Sequence, residues 1–401
     1  MSFLKRCIPI LVCFYILSGA GCADEHRTIT DMLGRTIEVP TNIERVIAID
    51  DGFVEGIVYR FGMQDKIIAL GSASCKDVFN YNFTTFEETV VVGDTYEYPA
   101  GMNTVRYLIP RFSDLPVLFK YGAPAVNYEM LSSLEPDVVF IRAGTWAFPA
   151  GSDEKLEKTI ATIESLEIPL IILLGPPYQE RPNVDNIGEE IRLVGEVLSH
   201  QDDADLLASY LELQIAEIQN RTDHVTESEK PHVMQLGLSS RAREAGGAAM
   251  GWGLDTIESY FIEDIANAKN AYSGTGAFVV LSAEQILALD PDVIVLPTAQ
   301  GYHPASELYT APYYQNLQGL SAVKKKRVYA LPYTPSNWAK RLEYPIETMI
   351  IAKAAYPDRF ADIKVHEWVL DFYKNVYGVD DETARGLRSA QRLDWTVEED
   401  F

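Results

Sequence analysis

Four cysteines in 401 residues are too few for a disulfide framework. Basic residues are also scarce: 34 Lys and Arg stand against 58 Asp and Glu, a formal net charge of −24. Nucleic-acid binding relies on clustered cations that displace counterions from phosphates, so this balance excludes a nucleic-acid partner. The basic cluster Lys324-Lys325-Lys326-Arg327 stands just before an apolar run and reads as a solvated turn. Signatures of the common enzyme classes are missing as well. There is no Gly-x-Ser-x-Gly elbow, no Gly-x-x-x-x-Gly-Lys phosphate loop and no His-Glu-x-x-His pair, so no enzyme is expected. The glycines from Gly246 to Gly253 lack dinucleotide spacing, and no His, Cys and carboxylate set has the spacing of a closed metal cage. Neither a resident metal nor a cofactor is assigned.

The first 22 residues read as an address. Lys5 and Arg6 precede an apolar run from Cys7 to Leu17, then Ser18-Gly19-Ala20-Gly21 and Cys22, the layout of a secretory signal. Eleven apolar residues are too few to span a bilayer. A cysteine directly after small residues resembles the lipoprotein box, which makes Cys22 the expected lipidation site and an N-terminal lipid anchor the expected membrane contact. Gly19 stands where that box usually has leucine, so cleavage nearby without lipid and a retained anchor stay open as alternatives. After processing, Cys75 is either a small buried residue or a loop thiol near a ligand.

One thirteen-residue pattern occurs twice, 155 residues apart. Residues 129 to 141 and 284 to 296 share a Glu, four residues, Leu, an acid, Pro, Asp, Val and three apolar residues. In each copy a short helix must end at the acid, because a following proline excludes the helical conformation there. A buried, β-branched strand comes next. Helix, tight turn and parallel strand make half of an α/β crossover, and two copies predict two similar lobes. The expected fold is therefore α/β, with two Rossmann-like lobes built on central parallel sheets and joined by one long helix.

A pass along the chain sets the boundaries. The signal covers residues 1–22, the N-terminal lobe 23–200, an interlobe helix 201–222 and the C-terminal lobe 230–401, with His224 to Lys230 a polar linker. A hairpin is expected over residues 28 to 39, turning at Leu33-Gly34. Residues Ser72 to Tyr121, rich in Tyr, Phe, Pro and Gly, show weak periodicity and read as a functional or packing insertion. From Asp203 to Arg221, Leu206, Leu207, Tyr210, Leu211, Leu213, Ile215 and Ile218 recur at helical spacing, long enough to bridge two lobes.

With those elements in place, the chain resembles the substrate-binding proteins of high-affinity ABC importers, in the class that carries iron-siderophores, haem and cobalamin. The carriers are Thr30 to Pro40 with Arg45-Val-Ile-Ala-Ile, the two Leu-acid-Pro-Asp turns, and Lys325-Lys326-Arg327-Val328-Tyr329-Ala-Leu-Pro332. The tail from Ala352 to Phe360, with Phe372-Tyr373 and Tyr377-Gly378-Val379, is similar to a subgroup that includes a molybdate and tungstate binder. The resemblance implies an extracytoplasmic protein that delivers its ligand to a permease dimer with ATPase subunits. It implies a metal chelate as cargo, a ferric siderophore first and a corrinoid or haem alongside, with an oxyanion as the alternative and, behind it, a surface binding protein or an enzyme not coupled to transport. It also implies one docking glutamate on each lobe, at the head of the helix before each turn, which falls on Glu129 and Glu284. A carboxylate in a helix's first turn is in any case favoured by the dipole.

In open α/β sheets ligands sit beyond the carboxyl ends of the strands. Those ends name the loops Asp50 to Phe53, Ser72 to Cys75, Ala143 to Trp146, Ser239 to Trp252, Ala299 to His303 and Tyr333 to Arg341. Their candidate ligand-binding residues are Trp146, Arg241, Arg243, Trp252, Tyr333, Trp338 and Arg341. Aromatic walls suit a large chelate or macrocycle, and a guanidinium pairs with carboxylate, hydroxamate or oxyanion oxygens. His303, between Tyr302 and Pro304, reads as a turn residue.

Overall fold

The computed structural model describes residues 26–76, 78–79, 101–119, 126–299 and 301–401, so the signal and Cys22 lie outside the described residues. Two parallel sheets organise the chain. The first runs in the order Val117–Phe119, Ile67–Ser72, Val46–Ile49, Val138–Ala143, Leu170–Leu174. The second runs Lys269–Asn270, His232–Gln235, Val293–Leu296, Val328–Ala330. Apart from its extra edge strand, the first sheet repeats the strand order of the second. Each lobe is α/β, and the lobes are joined by the 22-residue helix Gln201–Thr222, about 33 Å long at 1.5 Å per residue.

The repeated turn has one structural job in both lobes. Glu135 (φ 42°) and Asp290 (φ 36°) leave the helical conformation just before Pro136 and Pro291. The next residue then clamps the start of the lobe's first strand. Asp137 Oδ2 accepts from the backbone N–H groups of Glu44 (2.7 Å) and Arg45 (2.9 Å), and Asp292 Oδ2 accepts from that of His232 (3.0 Å). The strands that follow, Val138–Ala143 and Val293–Leu296, are fully buried on both faces, which explains their unbroken apolar character.

Side chains alternate between faces along each strand. Val46, Ala48 and Phe140 of the first sheet and Val233, Val293 and Val295 of the second face one continuous core, filled by the helices Ile187–Leu198, Gln201–Thr222 and Tyr344–Ala355. The opposite faces bury Ile47, Ile49, Val139 and Ile141 in one outer core and Met234, Leu236, Ile294 and Leu296 in another. A shared central core ties the two lobes together. Among the described residues no helix is long and apolar enough to cross a membrane.

The hairpin pairs His26–Thr30 with Thr36–Pro40, and Asp31 Oδ1 holds its turn by accepting from Leu33 and Arg35 N–H. The weakly periodic stretch is partly regular. Thr104–Leu108 is a helix packed on Phe53–Arg60, and Val117–Phe119 is the edge strand of the first sheet. The C-terminal helices cross back to the first lobe: Val365–Tyr377 packs on Phe53–Arg60, and Gln391 Nε2 donates to Thr104 Oγ1 at 3.0 Å.

Candidate binding cleft

Between the lobes lies a cleft of about 830 Å³. Trp146, Pro177 and Pro182 face it from the first lobe, and Gln235, Arg241, Trp252, Phe278, Trp338 and Lys340 are among the residues that face it from the second. Four rings form a chain across the opening. Trp146 meets Trp338 edge-on at 5.2 Å, Trp338 meets Phe278 at 5.3 Å, and Phe278 meets Trp252 at 5.2 Å. Trp146 and Trp338 are each 39% exposed and Phe278 36%, a large apolar area to leave in water unless something covers it.

The local backbone explains how the rings arrive there. Trp146 ends the turn after Val138–Ala143, where its N–H donates to Asp51 Oδ2 at 3.0 Å. Trp252 follows Ala249–Gly251, which pairs antiparallel with Val279–Leu281 in a ribbon beside the second sheet. Gly237 permits its close packing, since a Cβ there would lie 2.7 Å from the Trp252 ring. Phe278 precedes the other ribbon strand with φ at 58°, a conformation that bulky side chains rarely adopt. Strain of that kind persists where the surroundings demand it, here in the wall of the cleft.

Beneath the rings the cleft is polar. Lys340 Nζ lies 3.0 Å from Glu347 Oε2 and 3.2 Å from Glu258 Oε1, and Asn337 Nδ2 donates to Glu347 Oε1 at 3.0 Å. Burial works against the Lys340 charge, but the two carboxylates more than offset it and hold its pKa above the usual lysine value. Arg241 is exposed on the rim, with no side-chain hydrogen bond or ion pair among the described residues. Among those residues, no group of three or more His, Cys, Asp and Glu is arranged to hold a metal ion.

Trp146, Arg241, Trp252 and Trp338 therefore share the cleft. Three other expected ligand residues do not line it. Arg243 donates to Leu238 O (3.2 Å) and Tyr314 Oη (2.6 Å) while its guanidinium lies 4.1 Å from the Tyr313 ring centre, so it braces the second lobe. Tyr333 is buried, with its N–H donating to Gln391 O. Arg341 is buried at the lobe junction and donates to Asp51 O (3.2 Å) and Pro335 O (2.8 Å). The loops at Asp50 and Ser72 are likewise buried: Asn103 Nδ2 donates to Asp51 O at 2.8 Å, and Ser72, Ser74 and Cys75 are enclosed. His303 is buried, with its ring nitrogens 2.7 Å from Glu307 Oε2 and 2.9 Å from Ala299 O.

The model for the periplasmic binding protein family matches residues 121–335, more than half of the chain. The chain belongs to the periplasmic binding protein family. The molybdate-binding protein MolA of Haemophilus influenzae is 25% identical over 378 residues, spanning 90% of this chain and 93% of MolA. Its molybdate-bound structure matches with a TM-score of 0.63 at 19% identity, over 88% of this chain and 98% of that one. A periplasmic solute binding protein from Veillonella parvula matches at TM-score 0.70 and 19% identity, over 94% and 100% of the two chains. Helicobacter pylori CeuE with Ni(II) bound matches at TM-score 0.60 and 18% identity, over 90% and 99%. At these identities the solved structures speak to the fold.

Membership of that family makes the chain a periplasmic binding protein. Glu129 and Glu284 are exposed in the first turns of Tyr128–Ser133 and Ala283–Leu289. The backbone N–H of Glu284 and the Ser282 side chain hold the Glu284 carboxyl below its usual pKa.

Proposed function

We propose that this periplasmic binding protein captures an organic metal chelate between its lobes, a ferric siderophore first and a corrinoid or haem alongside, and delivers it to its permease. The observation that carries this reading is the chain of four aromatic rings across an 830 Å³ cleft. That volume lies within the roughly 300–1,000 Å³ typical of sites for drug-sized ligands. A flat or greasy chelate covers the exposed rings, and Arg241 supplies one cation for an anionic group at its edge. The charge count points the same way. Lys340 is already held by Glu258 and Glu347, and Asp255 also lines the cleft, so a small dianion would meet more carboxylates than free cations.

The second reading, an oxyanion such as molybdate or tungstate, rests on the similarity to MolA and on Arg241, whose side chain has no partner among the described residues. Melting the purified protein with haemin, cyanocobalamin, a ferric tris-hydroxamate complex, molybdate or tungstate separates the two. A ligand at 100 times its Kd stabilises the fold by about 2.7 kcal/mol. A shift with any chelate supports the first reading; a shift confined to the oxyanions replaces it with the second.

Coupling to the permease is assigned to Glu129 and Glu284, exposed carboxylates at equal places in the two repeats. Glu129→Arg with Glu284→Arg is expected to abolish uptake in cells while leaving ligand affinity unchanged. Uptake that survives the double reversal removes these residues from the docking role.

A further inference from the structure

One polar side chain that lines the cleft is left with an unmet acceptor. Gln235 ends the strand His232–Gln235, is 4% exposed and lines the cleft. Its Oε1 is buried with no hydrogen-bond partner among the described residues. Leaving such an acceptor unpaired costs free energy, so a native protein keeps one where something else completes it. The repeat shows that the strand itself does not ask for glutamine. Gln235 pairs in register with Val295, and Ala48 pairs with Phe140. Val295 and Phe140 occupy the same position of the thirteen-residue repeat, so Ala48 is the first lobe's counterpart of Gln235. At that place the first lobe buries a methyl group in the shared core, and the second spends an amide.

We infer that Gln235 determines ligand specificity: its side-chain amide accepts a hydrogen bond from an N–H or O–H donor on the cargo. This inference rests on the proposed capture of a chelate in the cleft. The surroundings favour a donor over an anion, because Asp255, Glu258 and Glu347 outnumber Arg241 and Lys340 in the cleft lining. A neutral amide or hydroxyl edge is accommodated there, whereas an acceptor-only tetrahedral dianion is opposed. The amide carbonyl thus orients the polar edge of a ligand whose apolar face lies on Trp252, Phe278 and Trp338.

Tryptophan fluorescence reads the site directly, since Trp146, Trp252 and Trp338 are three of the five tryptophans and line the cleft. Wild type, Gln235→Met, Gln235→Glu, Gln235→Lys and Trp252→Ala are titrated at pH 8 with haemin, cyanocobalamin, a ferric tris-hydroxamate complex and sodium molybdate, after melting curves confirm that each is folded. For the chelate that quenches wild type, Gln235→Met weakens binding about tenfold, Gln235→Glu stays within about threefold and Gln235→Lys is weakest of all. Affinity of Gln235→Met within twofold of wild type, while Trp252→Ala loses binding, overturns the inference and leaves the cleft assignment standing. The reversed order, with Lys tighter than Met and Met tighter than Glu, also overturns it, because the amide would then donate to an anion. If wild type binds none of the chelates, the chelate reading fails and this inference fails with it.

Discussion

The two lobes use the same strands and turns, then part company one residue beyond the repeat. After Ile141 the first lobe has Arg142; after Leu296 the second has Pro297, which lines the cleft. Arg142 is buried and pairs bidentately with buried Glu190 at 2.7 and 2.8 Å, its guanidinium 3.7 Å from the Phe53 ring centre. Its remaining Nη1 donates to Lys340 O at 2.7 Å, across the lobe boundary. Beside it Asp50, Asp51 and Glu55 are buried, with Arg341 against Asp51 O. The first lobe thus fills most of its strand ends with buried charge and gives the cleft Trp146, Pro177 and Pro182, whereas the second lines it with Gln235, Trp252, Phe278 and Trp338.

Breaking the Arg142–Glu190 pair gives the largest effect. Glu190→Ala leaves the Arg142 guanidinium buried and half-paired, at an expected cost of about 3–5 kcal/mol in chemical denaturation. Arg192→Ala, by contrast, removes an exposed partner of Asp205 and Glu212 and is expected to cost under about 1 kcal/mol. Equal costs would show that the first lobe's strand ends are not held by this pair.

The shared turn gives a smaller, graded contrast. Asp137 accepts two backbone N–H groups, but Asp292 accepts one, because the residue matching Glu44 is Pro231, which has no N–H to give. Asp137→Ala is therefore expected to cost about 2 kcal/mol and Asp292→Ala about 1 kcal/mol by urea denaturation. A larger loss from Asp292→Ala would mean that the turns do different work in the two lobes.

Much of this plan was legible before any coordinates. The Pro-Asp turns, the apolar strands and the long helix depend on neighbours close in sequence, and strand ends named Trp146, Trp252 and Trp338 because a strand's end is a local property. Arg341 shows the limit. An arginine after a strand looks the same whether it lines a cleft or lies buried at a junction, and only the contact with Asp51, 290 residues away, places it at the junction. Phe278 escaped notice for a related reason. Its ring reaches the cleft through a ribbon pairing Ala249–Gly251 with Val279–Leu281, which neither segment signals alone. Gln235 did carry a signal, a polar residue closing a buried apolar strand where its counterpart is alanine, but it requires aligning the lobes strand by strand.

The smallest expected effect tests whether the first lobe's buried acids are tolerated or needed. Burial, with Asp50 nearby, pushes the Glu55 carboxyl well above its usual pKa, and Asp51 is raised for the same reasons. In the folded state such a group keeps a proton that the unfolded chain releases above about pH 4.5. Its contribution to stability is therefore largest at acidic pH and declines as pH rises from the ordinary carboxylate range toward the raised value. Glu55→Gln keeps the shape and cannot ionise, so it removes this dependence. The variant is expected to melt close to wild type at pH 5 and a few degrees above it at pH 8. Wild type melting higher than the variant at pH 8 would show that the Glu55 charge is used by the folded first lobe, and that its strand ends are a second polar site and not merely the closed counterpart of the cleft.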